Sequence, residues 1–170
     1  MQKEYMNEDL ERPSPHLEMS RQRLTLAQYV LRQNGVPLGA PRSLQNMLYR
    51  SFGAGTLAGF WQYWNPVWGY GLGKYVYSPF QRSLPSWLAL ILTFVVSGGL
   101  HDLVIIAIRQ SAAFIFTPWF FLLGVGVVIG RTLGIDFSGQ PWSIRAGINL
   151  TYLAACFGLM LLAKRILEFP

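Results

Sequence analysis

The sequence predicts an all-α, polytopic membrane protein, and three observations carry that prediction. Only 13% of its 170 residues are charged, roughly half the usual share in soluble chains. Hydrophobic residues make up 52%. They gather in three runs, about 87–108, 114–130 and 146–163, that lack the alternation of half-buried strands. Ahead of them lie a broken or re-entrant helical segment before residue 65 and an interfacial helix near the N-terminus.

The first 42 residues mix acidic and basic side chains with proline and lack the apolar core of a secretory signal. Leu24, Leu26, Ala27, Val30 and Leu31 fall on one face of a short amphipathic helix. Flanked by Arg21, Arg23 and Arg32, that helix is expected to lie among lipid headgroups. Gly35, Pro37, Gly39 and Pro41 then punctuate a linker. Residues 1–42 are therefore read as an extramembrane or interfacial segment, and 43–170 as the membrane domain.

From Ser43 the chain turns apolar, with Leu44, Met47, Leu48, Phe52 and Leu57 at helical spacings. Arg50, Gly53, Gly55 and Gly59 argue against a plain lipid-facing span. Irregular backbone at membrane depth must be covered by protein or line a wet cavity. Trp61, Tyr63, Trp64, Trp68, Tyr70, Tyr75 and Tyr77 crowd the next stretch. An interfacial aromatic belt accounts for that crowd, but not for the Asn65-Pro66 step inside it.

Trp87 to Ile108 is the clearest span, with Ser86 its expected N-cap. At 1.5 Å per residue it reaches about 33 Å, enough for a hydrocarbon core of about 30 Å. His101 and Asp102 stand side by side within it. A charge near the centre of a bilayer helix costs roughly 2.5–3.5 kcal/mol, and such residues mark functional sites by default. Ser97 lies four residues before His101, on the same face. Gly98 and Gly99 thin the helix there and admit another backbone or a substrate chain.

A second span follows near Phe114 to Gly130, then a polar loop from Arg131 to Arg145, then a third span near Ala146 to Ala163. Three crossings put Lys74, Arg82, Arg131, Arg145 and the basic residues before them on one side. Arg109, Lys164 and Arg165 fall on the other. That imbalance predicts a cytoplasmic N-terminus in a multi-pass integral membrane protein.

Several functions are excluded. Cys156 is the single cysteine, so no internal disulfide forms. Two histidines, His16 and His101, offer no metal-ligand spacing, and no phosphate-binding or dinucleotide fingerprint occurs. The net charge of +6 is dispersed and accompanies no nucleic-acid motif. Dispersed basic residues suit membrane lipids instead.

The ordered series Phe60-Trp61-x-x-Trp64-Asn65, Tyr75-Val76-Tyr77-x-Pro79 and Val96-Ser97-Gly98-x-Leu100-His101 resembles the membrane-bound O-acyltransferases. It is most similar to their wax-synthase-like branch. Pro118-Trp119-Phe120-Phe121-Leu122-Leu123-Gly124 extends the likeness, which covers residues 55–130 or so. The resemblance implies transfer of an acyl group from a thioester, acyl-CoA or acyl-carrier protein, to a hydroxyl inside a membrane chamber. It implies no bound cofactor. By it His101 corresponds to the catalytic histidine and Asn65 to the polar residue facing it. Trp61, Trp64, Tyr77, Ser97 and Asp102 are the expected substrate-binding neighbours. Asp102 stands where that branch commonly has glutamate. The family's chamber is enclosed by more helices than this chain supplies, which implies other membrane subunits or a second copy.

The chemistry is coherent without the family. Acyl transfer to an alcohol needs a base for the hydroxyl proton, and imidazole suits that task. A carboxamide opposite it can orient the acceptor or donate to the developing oxyanion. Ser97 and Cys156 stay open as nucleophiles. Lys74 and Arg82 flank the Tyr75–Pro79 turn, where they meet CoA phosphates or hold headgroups and orient the chain. A non-catalytic structural or assembly subunit of a larger membrane complex is the competing reading, with His101 and Asp102 as polar glue between helices. The two differ in space. An enzyme needs Asn65 and His101 on one tunnel, whereas a scaffold packs His101 against a neighbour.

Overall fold

A computed structural model describes residues 24–110 and 114–167. These form eight α-helices and one π-helical turn, and no strand occurs among them. The expected features before residue 24, including the flanking Arg21 and Arg23, lie outside the described residues.

Helix α1 (Leu26–Asn34) starts at a capping box, in which Thr25 and Gln28 satisfy one another's backbone N–H groups. It ends at Gly35, whose φ of 77° is left-handed. The amphipathic helix read from the sequence is present, but it is docked on protein. Val30 and Asn34 are buried, and Asn34 Nδ2 donates to the Ser43 carbonyl and hydroxyl at 3.1 and 2.8 Å. Tyr29 packs its ring 5.6 Å from Tyr70.

The expected broken segment is α2 (Ser43–Phe52) and α3 (Leu57–Tyr63), separated by a short non-helical link. Protein covers that link. Phe137 N–H donates to the Gly55 carbonyl at 2.8 Å, and a Cβ on Gly55 would lie 2.6 Å from Ser138 Cα. Only glycine admits so close an approach. A second break at Trp64-Asn65 leads into α4 (Pro66–Leu72), the π-turn (Gly73–Tyr77) and α5 (Ser78–Gln81).

Three longer helices follow: α6 (Ser86–Arg109), α7 (Phe116–Thr132) and α8 (Trp142–Leu167). Two of them, α6 with 24 residues and α8 with 26, are long and apolar enough to cross a membrane. The middle one has 17 residues, about 25 Å of helix, so three equal spans are not what the fold contains. The third expected span begins earlier than read from the sequence, at Trp142 rather than near Ala146. Pro141 opens it, accepting from the Ile144 and Arg145 N–H groups, and the apolar pattern alone could not reveal this polar first turn. Ser86 is not the N-cap of α6. Pro85 holds that position, while the Ser86 hydroxyl accepts from Gln81 Nε2 at 3.2 Å.

The α6–α7 pair is the most extensive helix contact. Phe94, Leu123, Val127 and Cys156 form its core, extended by Trp61, Trp119, Phe120 and Tyr152. Cys156 is thus an apolar filler. Helix α8 is tied on by polar groups. Asn149, fully buried, donates through Nδ2 to the carbonyls of Phe52, Ala54 and Arg145, each at 3.0 Å. Tyr152 donates to the Leu123 carbonyl at 2.5 Å and accepts from Trp61 Nε1 at 3.2 Å. Elsewhere α8 is bare: only 17% of its most apolar window is buried, against 28% for α6. Apolar helices this exposed need lipid or a partner around them.

Gly98 is where the backbones of α6 and α7 meet. A Cβ there would lie 2.7 Å from the Phe116 carbonyl oxygen and 2.8 Å from Thr117 Cα, whereas one on Gly99 would meet nothing nearer than Thr117 Oγ1 at 3.8 Å. Gly98→Ala should therefore destabilise the fold by about 1–3 kcal/mol, and Gly99→Ala should leave it unchanged or firmer. Chemical denaturation of both variants in detergent micelles checks this pair.

Candidate functional site

His101 and Asn65 line one cavity of about 410 Å³, together with Trp61, Trp64, Trp68, Tyr77, Ser97 and Phe120. Asn65 and His101 are each placed by a local feature of the chain. Asn65 has a left-handed φ of 41° and caps α4, its Oδ1 accepting from Trp68 N–H at 3.2 Å. Asparagine tolerates that conformation better than most residues, and Pro66 at the first helical position needs no N–H partner. Because Oδ1 is spent on the cap, the amide NH₂ is the end of the side chain left to donate.

His101 is held by its own helix and by aromatic rings. Its Nδ1 lies 2.7 Å from the Ser97 carbonyl oxygen. A carbonyl only accepts, so Nδ1 carries the hydrogen, and in the neutral ring Nε2 is the nitrogen with the lone pair. Trp68 meets the imidazole edge-on at 5.9 Å, and Phe116 and Phe120 tilt against it at 5.5 and 5.2 Å. The indole of Trp68 also donates to Ser97 Oγ at 2.9 Å. Ser97 thereby couples the histidine to the aromatic wall, and its hydroxyl already has a partner. His101 is nevertheless exposed, beside the uncovered Leu100, Leu103 and Val104.

Among the residues singled out in the sequence, Trp61, Trp64, Tyr77 and Ser97 also line this cavity. Trp61 presents only ring, since its indole N–H is committed to Tyr152. Trp64 stacks on the fully buried Phe60 at 5.5 Å. Lys74 and Arg82 do not line it. They line a second cavity of about 760 Å³ with Thr25, Tyr70 and Ser78. The lone Cys156 lies in the core, away from both.

Asp102 is turned the other way. Fully buried, it accepts from the N–H groups of Ile115 and Phe116 through Oδ1 at 3.0 and 2.9 Å. Its Oδ2 accepts from the N–H and hydroxyl of Thr117 at 2.7 and 2.6 Å. It is a cap for α7 supplied by another helix. It satisfies donors that the start of a helix leaves orphaned, and places negative charge at the positive end of the helix dipole. Its expected place among substrate-binding residues has no geometry behind it.

Sequence reasoning passed over Tyr29, Phe116 and Phe120 as cavity or ring partners. Phe116 and Phe120 sit four apart on one face of α7, a legible spacing. Tyr29 comes from α1, and its place in both cavity walls depends on a docking that no local pattern announces. Burial pushes its hydroxyl above the usual phenol range, outweighing Gln33 and Arg32, so the wall it forms stays uncharged at neutral pH.

Compared with known proteins, the chain matches no protein family, no curated protein and no solved structure.

Asp102→Ala would strip four donors of their acceptor at a site shielded from water. Hydrogen bonds to a charged group contribute about 1.5–3 kcal/mol each, and not additively, so the loss should be about 3 kcal/mol or more. It should also loosen Phe116 and Phe120 around His101. Denaturation with histidine resonances as a second probe checks both effects.

Proposed function

We propose that this protein is a multi-pass membrane O-acyltransferase, moving an acyl group from a thioester donor to a hydroxyl acceptor with His101 as general base. The observation that carries the reading is that His101, its Nδ1 engaged by the Ser97 carbonyl, lines the same cavity as Asn65, whose amide NH₂ is free to donate. The acceptor hydroxyl gives its proton to Nε2 as its oxygen attacks the thioester carbonyl. The carbonyl becomes an oxyanion, to which Asn65 Nδ2–H donates. Collapse re-forms the carbonyl as an ester and breaks the carbon–sulfur bond. The departing thiolate takes the proton back from the imidazolium and leaves as a thiol. Base and acid are one group, so the site returns to its starting charge.

Most of the lining is aromatic or aliphatic, which suits an acyl chain, with Gln62, Thr93 and Arg131 as further polar lining, and the ordered motifs of the chain resemble those of the membrane-bound O-acyltransferases. The uncovered edge beside His101 supports a chamber completed by a second copy or another membrane subunit. In the membrane, the tail and the loop between α7 and α8 face the cytoplasm on this reading, with Arg109, Lys164 and Arg165 opposite. A second reading, a non-catalytic assembly subunit on the same scaffold, draws on the wide apolar surface of α8. It makes the histidine a ring packed among Trp68, Phe116 and Phe120.

His101→Ala should lower acyl transfer from labelled thioesters by about 10²–10⁴-fold with the melting temperature unchanged. Asn65→Asp keeps an oxygen for the cap and loses the donor. It should fold normally and lose about 10²–10³-fold. Equal activity in wild type and His101→Ala, or none in wild type with any subunit that co-purifies, would leave the scaffold reading.

Impermeant maleimide labelling of single cysteines at positions 136 and 165 tests the topology. Intact cells should expose position 165 and protect position 136.

A further inference from the structure

The larger cavity, which adjoins the one lined by His101, is unexplained by acyl transfer at His101 itself. It is lined by Leu24, Thr25 and Tyr29 at the start of α1, by Gly69 and Tyr70 of α4, and by the π-turn and α5 through Lys74, Ser78 and Arg82. Lys74 and Arg82 are its charged lining residues, and no carboxylate stands beside them among the described lining residues. Tyr70 and Tyr75 lie 5.7 and 5.2 Å from the Lys74 ammonium, which steers the lysine without neutralising it. Two cations lining one cavity, with no carboxylate among its described lining residues, suit a phosphate group.

This cavity and the His101 cavity share Tyr29, Gly69, Gly73 and Tyr77 in their walls. Gly69, Gly73 and Tyr77 follow at four-residue intervals, one stripe along a continuous helical stretch. The π-turn falls on that stripe, and such turns recur at functional sites because they widen the helix. A Cβ on Gly73 would meet no atom within 4 Å, and one on Gly69 only the Tyr29 hydroxyl at 3.9 Å. Both glycines therefore border open space and are not needed for packing.

We propose that the second cavity is a phosphate-binding vestibule of the His101 cavity, holding the phosphorylated end of a ligand whose apolar end lies among Trp61, Trp64 and Trp68. The glycine stripe floors the passage between them, and Tyr29 and Tyr77 flank it. The phosphate belongs to a soluble phosphorylated thioester or to a phospholipid headgroup, since both present the same oxygens to Lys74 and Arg82. The site stands on cavity and charge, and holds whether or not His101 performs transfer.

The test is equilibrium binding to the full chain in detergent, with two probes: a non-hydrolysable thioether analogue of palmitoyl-CoA, and dioleoyl phosphatidic acid. Uncharged dioleoylglycerol is the control. Wild type and His101→Ala should bind one phosphorylated probe at least tenfold more tightly than the control. Which probe binds identifies the source of the phosphate. The double variant Lys74→Gln/Arg82→Gln should lose tenfold or more, and Lys74→Arg/Arg82→Lys should restore it. Gly73→Leu, favourable to a helix and clear of neighbours, should keep the melting temperature and weaken binding by obstructing the passage. Failure of wild type to prefer either phosphorylated probe overturns the proposal, as does undiminished binding by the Gln variant. Undiminished binding by Gly73→Leu overturns the passage.

Discussion

One carboxylate in an apolar setting holds this structure together. Asp102 lies about 10 Å of helix short of Arg109, and α7 begins against it. A helix that starts where water is excluded brings orphaned N–H groups that need an acceptor. Asp102 accepts three of them and a hydroxyl besides. That contact explains why α7 is short: it begins where its cap is. It also requires Gly98, because no side chain fits where the α7 backbone crosses α6. Once seated, α7 brings Phe116 and Phe120 against His101. The two adjacent ionisable residues thus divide the labour. Asp102 caps α7, and His101 is among the residues that line the cavity.

Much of the fold is legible in the sequence because it rests on local signals. The apolar runs mark α6 and α8, Thr25 and Gln28 announce the start of α1, and Gly35 its end. The glycines after Phe52 mark a break in the helical segment. Depth and docking are another matter. The apolar run near 114–130 fixes a helix but not its length, because its N-terminus is set by a side chain on another helix. Asn149 reads as a stray polar residue in an apolar run, and only the fold reveals the carbonyls of Phe52 and Ala54 that it serves.

The candidate site divides along the same line. Asn65-Pro66 and the Ser97–His101 spacing are local, and both become features of one cavity. The neighbour relation of His101 and Asp102 suggests a working pair, yet successive residues on a helix point in different directions. Lys74 and Arg82 sit close to Tyr77 in sequence but open onto a second space. The π-turn, whose Gly73 and Tyr77 line both cavities, carries no reliable sequence mark. Asn65, Lys74 and Arg82 come from one short aromatic stretch and His101 from the helix packed against its π-turn, which leaves the outer apolar faces of α6 and α8 to lipid or a partner.

Because the chain has two histidines, ¹⁵N NMR of selectively labelled protein in bilayers, with His16→Gln to assign the signals, reads His101 directly. A hydrogen on Nδ1 and a bare Nε2, with the Nε2 resonance moving when a thioether analogue of palmitoyl-CoA is added, is the result that a base facing an acyl cavity requires. A hydrogen on Nε2, or a resonance indifferent to the analogue, would contradict it and leave His101 a packed ring in a scaffold.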